Sequence, residues 1–166
     1  MATQILTVER LRELLHYDSD TGVFTWRVYR SPGAKKGDVA GCVNEGGYIA
    51  TQVDRKHYLS HRLAWLYVYG AWPIDEIDHK DGNPANNHIA NLRDVTRLTN
   101  SQNLRKARRG SKSGLLGVHW HVPASKWKAE IYADGRTKHI GYFLTAQAAH
   151  DAYVSAKREF HPGCTI

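Results

Sequence analysis

The spacing of apolar residues changes repeatedly along the chain, and each change predicts an element. In TVERLRELL (7–15), Val8, Leu11, Leu14 and Leu15 share one helical face, and Thr7 stands where an N-cap would. DSDTGVFTWRV turns at Asp20-Thr21-Gly22 and enters a strand from Val23 to Val28. Residues 31–47 are rich in glycine and lysine and read as loop. YIATQV and HYLS, separated by DRK, read as a hairpin. HRLAWLYVYG predicts a buried helix stopped by Gly70. Ile74 to His79 predicts a short strand that sends Asp78 and His79 to opposite faces. A further helix is expected from about Arg97 to Arg108.

RKARRGSKSG then interrupts the pattern. Arg105, Lys106, Arg108, Arg109 and Lys112 crowd a segment ending in Gly and Ser, which has the composition of a linker. Beyond it, GVHWHV, KWKAEIYA and TKHIGYF predict three short strands, with Asp134-Gly135 as a hairpin turn next to Arg136. TAQAAHDAYVSAKREF predicts a helix with Ala146, Ala149, Tyr153 and Ala156 at helical spacing. Alternation puts Trp127, Ala129 and Ile131 on one sheet face and Lys126, Lys128, Glu130 and Tyr132 on the other. His119 and His121 oppose Val118 and Trp120, His139 opposes Ile140, and Tyr142 lies near the strand end. The apolar face should pack on the helix. The polar face is either simply solvated or suited to the major groove of DNA.

Bulk properties narrow the function. A chain of 166 residues, 42% hydrophobic, can bury a core in one domain or a few small modules. No run reaches the roughly 18 apolar residues of a membrane span. The start, MATQILTVERLREL, lacks the apolar stretch of a signal peptide. Two distant cysteines, Cys42 and Cys164, make neither a disulfide framework nor a cysteine zinc site, and a reducing, cytoplasmic setting is expected. A net charge of +7 and a pI near 9.5 attract polyanions: DNA, RNA or an anionic membrane. With no long basic amphipathic helix, the membrane is the weakest of these.

The chemistry concentrates in IDHKDGNPANNHIANLRDVTRLTN, residues 77–100. Two readings fit. Asparagine and aspartate favour Asx turns, so this could be a solvated loop. Alternatively, a strand, a loop and a helix could converge Asp78, His79 and Asn100. Two oxygen ligands, from Asp78 and Asn100, suit a hard cation such as Mg²⁺, which keeps most of its waters. His79 beside it could take a proton from water, since imidazole titrates near neutrality.

IDHKDGNPANNHIANLRDVTRLTNSQN resembles the His-Asn-His (HNH) endonuclease motif of phage and homing nucleases. HRLAWLYVYGAWP resembles the segment that precedes it, and the likeness covers about residues 5–105. The resemblance implies a ββα-metal fold that cuts DNA, with Asp78 and Asn100 holding the metal. It implies His79 as general base, Asn91 as a structural residue pinning the loop, and Arg93, in the NLR triplet, at a phosphate. Asp78 and Asn100 stand where many members have histidine; this is a known variant of the motif.

GLLGVHWHVPASKWKAEIYADGRTKHIGYFLTAQAAHDAYVSAKREF is similar to the APETALA-two/ethylene-response-factor DNA-binding domain. The anchors are Gly117-Val118, Trp127, Ala129-Glu130-Ile131, Gly141, Phe143, Thr145-Ala146 and Ala152-Tyr153. That likeness implies DNA contact through His119, His121, Glu130, Tyr132, Thr137, His139 and Tyr142. Plant members carry arginines and a tryptophan at several of these positions, so their sequence preference is not carried over.

The expected protein is therefore α+β. A small N-terminal α+β region (1–60) is followed by a ββα-metal HNH nuclease core (61–104), a basic linker (105–113) and a three-stranded sheet plus helix (114–166). The expected activity is endonuclease hydrolysis of double-stranded DNA, needing Mg²⁺ with Mn²⁺ as a substitute, by a monomer that nicks; a dimer would make double-strand breaks. A phage origin, acting in the cytoplasm of a bacterial host, follows by analogy. The rivals are a catalytically silent DNA-binding regulator and a nuclease of RNA.

Overall fold

Thr7 caps the first helix as its position predicts: its hydroxyl accepts from the Arg10 amide at 3.3 Å. The computed structural model describes residues 6–166; the reading of the first residues as no signal peptide rests partly on residues 1–5, which lie outside it. Helix α1 (Val8–Leu14) buries Leu11 and Leu14. Leu15 is fully buried too, but as the first residue of a strand, β1 (Leu15–Asp18), which pairs antiparallel with β2 (Val23–Trp26). The turn between them is tied by Asp18, whose carboxylate accepts the Asp20 amide at 2.9 Å and the Thr21 amide at 3.3 Å.

A second sheet orders β3 (Cys42–Val43), β4 (Ile49–Val53) and β5 (Lys56–Leu59). β5 runs directly into α2 (Ser60–Tyr69), which ends on Gly70 at φ 75° as the sequence suggests. The buried hydroxyls of Thr51 and Ser60 satisfy each other at 2.9 Å where strand meets helix. The core joins Leu11, Leu15, Phe24, Val53, Leu63 and Leu66. Fully burying side chains of this size contributes roughly 1.5–3 kcal/mol each. β6 (Glu76–His79) pairs antiparallel with β7 (Leu92–Val95), with Ile77 opposite Asp94 and Asp78 opposite Arg93. Asp94 anchors the approach to β6 by accepting the amides of Ile74 at 2.7 Å and Asp75 at 3.0 Å.

The chain divides into two units, one ending at Val95 and the other running from Thr96 to Ile166. The division falls ahead of the basic segment expected as a linker, because α3 (Arg97–Gln102) is built into the second unit. Within that unit the Gly163 amide donates to the Gln102 side chain at 3.1 Å, and Thr165 Oγ1 donates to the Asn103 side chain. Lys157, almost wholly buried, donates to the Leu104 carbonyl; burial lowers its pKa. Helix α3 stops at Gln102, short of the expected Arg108, since the next residues serve these C-terminal contacts instead.

The rest of this unit is an antiparallel sheet of β8 (Val118–His121), β9 (Lys126–Ala133) and β10 (Arg136–Phe143), with β9 central. It is backed by α4 (Ala146–Phe160). Val118, Ala129 and Ile131 bury against Ala149 and Tyr153. Gly117 lets the chain lie on the Tyr153 ring: a Cβ there, at φ +74°, would stand 2.0 Å from a ring carbon. The fold is thus mixed α+β with small sheets and, among the described residues, four α-helices.

Candidate active site

The loop between β6 and β7 accounts for most of the asparagines. Asp81 Oδ1 accepts the Asn83 amide at 2.8 Å and Asn91 Nδ2 at 3.0 Å, and its Oδ2 accepts Asn86 Nδ2 at 2.7 Å. Burial alone would raise the Asp81 pKa, but these hydrogen bonds outweigh it and hold the carboxyl below its usual range. Asn91 is the hub. Its Nδ2 also donates to the Asn86 carbonyl at 2.9 Å, and its Oδ1 accepts the Asp81 amide at 3.1 Å. The solvated-loop reading and the site reading therefore describe the same residues, since the Asx turns are what hold the loop beside His79.

Asp78 and His79 are both buried, at 6% and 5% exposure. Across the strand pair Arg93 donates to Asp78 Oδ2 from Nε at 2.8 Å and from Nη2 at 2.7 Å. The guanidinium that the resemblance puts at a phosphate is here the partner of the candidate metal ligand. His79 is lined by residues that no motif singled out. Its Nε2 lies 3.2 Å from Asn87 Oδ1, its ring meets His61 edge-on at 5.0 Å, and Tyr48 stands 6.0 Å away. Burial lowers the His79 pKa, opposed by Asn87, Asp81 and Asp78. His61 is driven down to about 3 by burial, with the charges of His79 and Arg62 adding to it, so it is neutral under ordinary conditions. His61 is a packing histidine, and what it packs against is the candidate base. His88 turns away to accept the Ala90 amide on Nδ1 at 3.2 Å.

Residues 58–102 match the HNH endonuclease family. That stretch runs from β5 through α2, β6 and β7 to α3. The chain is also 38% identical over 77 residues to Protein 3.8 of Escherichia phage T7, a match that covers 46% of this chain and 63% of that protein. No solved structure matches.

The ligand chemistry suits the divalent ions on which HNH nucleases generally depend. In the first unit Asp78 offers a buried carboxylate bound by Arg93; in the second, Asn100 on α3 carries an amide oxygen. All-oxygen donors in small number suit a hard ion that retains water. Among the described residues no group of three or more His, Cys, Asp or Glu forms a larger cage.

On the C-terminal sheet the expected polar face forms. A register shift between His139 and Gly141 brings Tyr142 round to it, so its ring lies 4.6 Å from His139 and 4.9 Å from His121. Glu130 is central, pairing with Lys128 and with His119 Nε2 at 3.6 Å. Tyr132, Arg136, Thr137 and His139 are exposed, as is Lys126. Arg105, Lys106, Arg108 and Arg109 are exposed as well, but Arg105 is engaged: its Nη2 donates to the Thr165 carbonyl at 3.0 Å. No helix among the described residues is long and apolar enough to cross a membrane.

Proposed function

We propose that the chain is a metal-dependent DNA endonuclease of the homing type. The HNH resemblance implies a ββα-metal core over residues 61–104, and the C-terminal sheet is a DNA-binding domain. The observation that carries this reading is the adjacent, buried Asp78 and His79 within the stretch that matches the HNH family. His79, uncharged at neutral pH because burial lowers its pKa, takes a proton from a water molecule. That water's oxygen bonds to phosphorus, one P–O ester bond breaks, and the departing oxygen takes up a proton. Asp78 and Asn100 would hold one divalent ion, Mg²⁺ in first place and Mn²⁺ as a substitute, which when bound offsets negative charge on the leaving oxygen. Arg93 keeps Asp78 in position and adds positive charge near the phosphate. Asn91 holds the loop.

The exposed face of β8–β10 and the segment 105–113 supply DNA affinity, the latter by tracking phosphates. Lys126, Lys128 and Arg136 bring positive charge, and His119, His121, His139, Tyr132, Thr137 and Tyr142 bring groups able to reach base edges. One site per chain nicks; a double-strand break takes a dimer or two visits. Action in the cytoplasm of a bacterial host belongs to the same reading.

The test is supercoiled plasmid incubated with Mg²⁺ or Mn²⁺, beside EDTA and His79→Ala controls. Metal-dependent open circle, lost in the variant, is expected. Linear product would point to paired sites. DNA that shifts on a gel yet stays intact, across a phage-genome library as well as plasmid, would sink the nuclease reading in favour of a DNA-binding regulator.

A further inference from the structure

Asn87 is 1% exposed, deep in the first unit, and it belongs to none of the roles above. Its Oδ1 faces His79 Nε2 at 3.2 Å, while its Nδ2 is buried with no hydrogen-bond partner. An unsatisfied buried donor is destabilising, so the amide is poorly suited to serve stability alone. The backbone on either side is gripped from the N-terminal hairpin. Tyr17 Oη donates to the Asn87 carbonyl at 2.7 Å. Gly22, at φ +73°, lies so close that a Cβ on it would stand 2.3 Å from the His88 amide nitrogen and 2.4 Å from the Asn87 carbonyl carbon. The His79 ring is walled by His61 and Tyr48, which restrict its rotation.

We infer that Asn87 is the positioning residue of His79. Its side-chain oxygen accepts the Nε2 proton and so places the imidazole lone pair on Nδ1, while hairpin β1–β2 holds Asn87 in register through Tyr17 and Gly22. A neutral imidazole carries one proton, and the hydrogen bond at one nitrogen decides which nitrogen is basic. Asn87 thus selects the atom that accepts a proton from water. The inference deepens the reading of His79 as the base and rests on it, but the tautomer can be observed in a protein that cuts nothing.

The experiment is long-range ¹H–¹⁵N correlation on the full chain with labelled histidine, with His79→Ala identifying the His79 signals. It is paired with nicking kinetics for three variants. The wild-type chain should show His79 as the Nε2–H tautomer. Asn87→Leu should lose that preference and lower kcat about 10- to 100-fold, the range typical when a partner orienting a functional histidine is removed, with KM for DNA unchanged. Asn87→Asp keeps an acceptor and should keep the tautomer and most of the rate. Tyr17→Phe, a milder change should Asn87→Leu fail to fold, should lower kcat by a smaller factor. An Nδ1–H tautomer in the wild-type chain would mean that the amide presents its NH₂ to the ring, and would overturn the inference. So would an unchanged tautomer and kcat in Asn87→Leu. A wild-type chain that nicks nothing but shows the Nε2–H tautomer, shifted by Asn87→Leu, would overturn the nuclease reading and leave the positioning role standing.

Discussion

Arg93 faces Asp78 across the β6–β7 pair and closes both Nε and Nη2 on a single carboxylate oxygen. The carboxylate is 7% exposed at the side chain and the guanidinium 23%. Removing one member of a buried pair leaves the other charge uncompensated, at about 3–5 kcal/mol. With Arg93 partly in water, the lower end applies. Arg93→Met should therefore destabilise the chain by about 3 kcal/mol in urea unfolding, and Arg93→Lys, which keeps the charge but not the paired donors, by less. Equal stability of Arg93→Met and wild type would show the pair to be energetically idle.

The Asn91 side chain makes three hydrogen bonds within one loop, to Asp81 twice and to Asn86 once. At about 1 kcal/mol each, with part of the loop open to water, Asn91→Ala should lower stability by about 2 kcal/mol. Hydrogen exchange should quicken at the amides of 81–91 while those of β8–β10 keep their protection. Protection lost evenly across both units would contradict a local pin.

His61 sets a pH dependence of stability. Its folded pKa, about 3, lies below the ordinary value of 6.5. The unfolded chain therefore takes up this proton first as pH falls. The stability linked to neutral His61 is whole above about 6.5, declines below it, and is gone once pH passes the folded value. The slope approaches ~1.4 kcal/mol per pH unit for one such proton. His79, shifted in the same direction by burial, adds to it. Unfolding free energies measured from pH 7 to 4 should fall less steeply in His61→Phe than in the wild type; parallel curves would mean that His61 titrates normally.

Glu130 lies among the cations of the sheet face and pairs with Lys128 and His119. If the face serves mainly to meet phosphates, Glu130→Gln should bind duplex DNA more tightly and steepen the log–log salt dependence by about one unit, as one more cation becomes available to displace a counterion. Weaker binding of the variant would instead mark Glu130 as a reader of a base, since a carboxylate can accept from cytosine N4.

Local rules carried much of the fold. Thr7, Gly70 and the Asp134-Gly135 turn did what short-range chemistry requires of them, and strand alternation sorted the β8–β10 faces because one side had to bury against α4. What escaped was set by long-range pairing. Leu15 fits a helical face, yet it begins β1 because Trp26 pairs with it. The end of α3 depends on Gln102, Asn103 and Leu104 meeting residues 157–165, more than fifty positions away. The site divided along the same line. Asp78, His79 and Asn91 stand out because their types and spacing repeat a known pattern. Asn87 was one asparagine among several, and His61 and Tyr48 matter only through a fold that brings β4, α2 and β6 together.

The hydrogen bond between Tyr17 and the Asn87 carbonyl also orders events during synthesis. The hairpin carrying Tyr17 and Gly22 leaves the ribosome some 65 to 70 residues ahead of the loop it will hold, several seconds earlier at ~5–20 residues per second. The seat is made before the part that sits in it, and the nascent chain completes the surroundings of His79 only after most of its first unit has emerged.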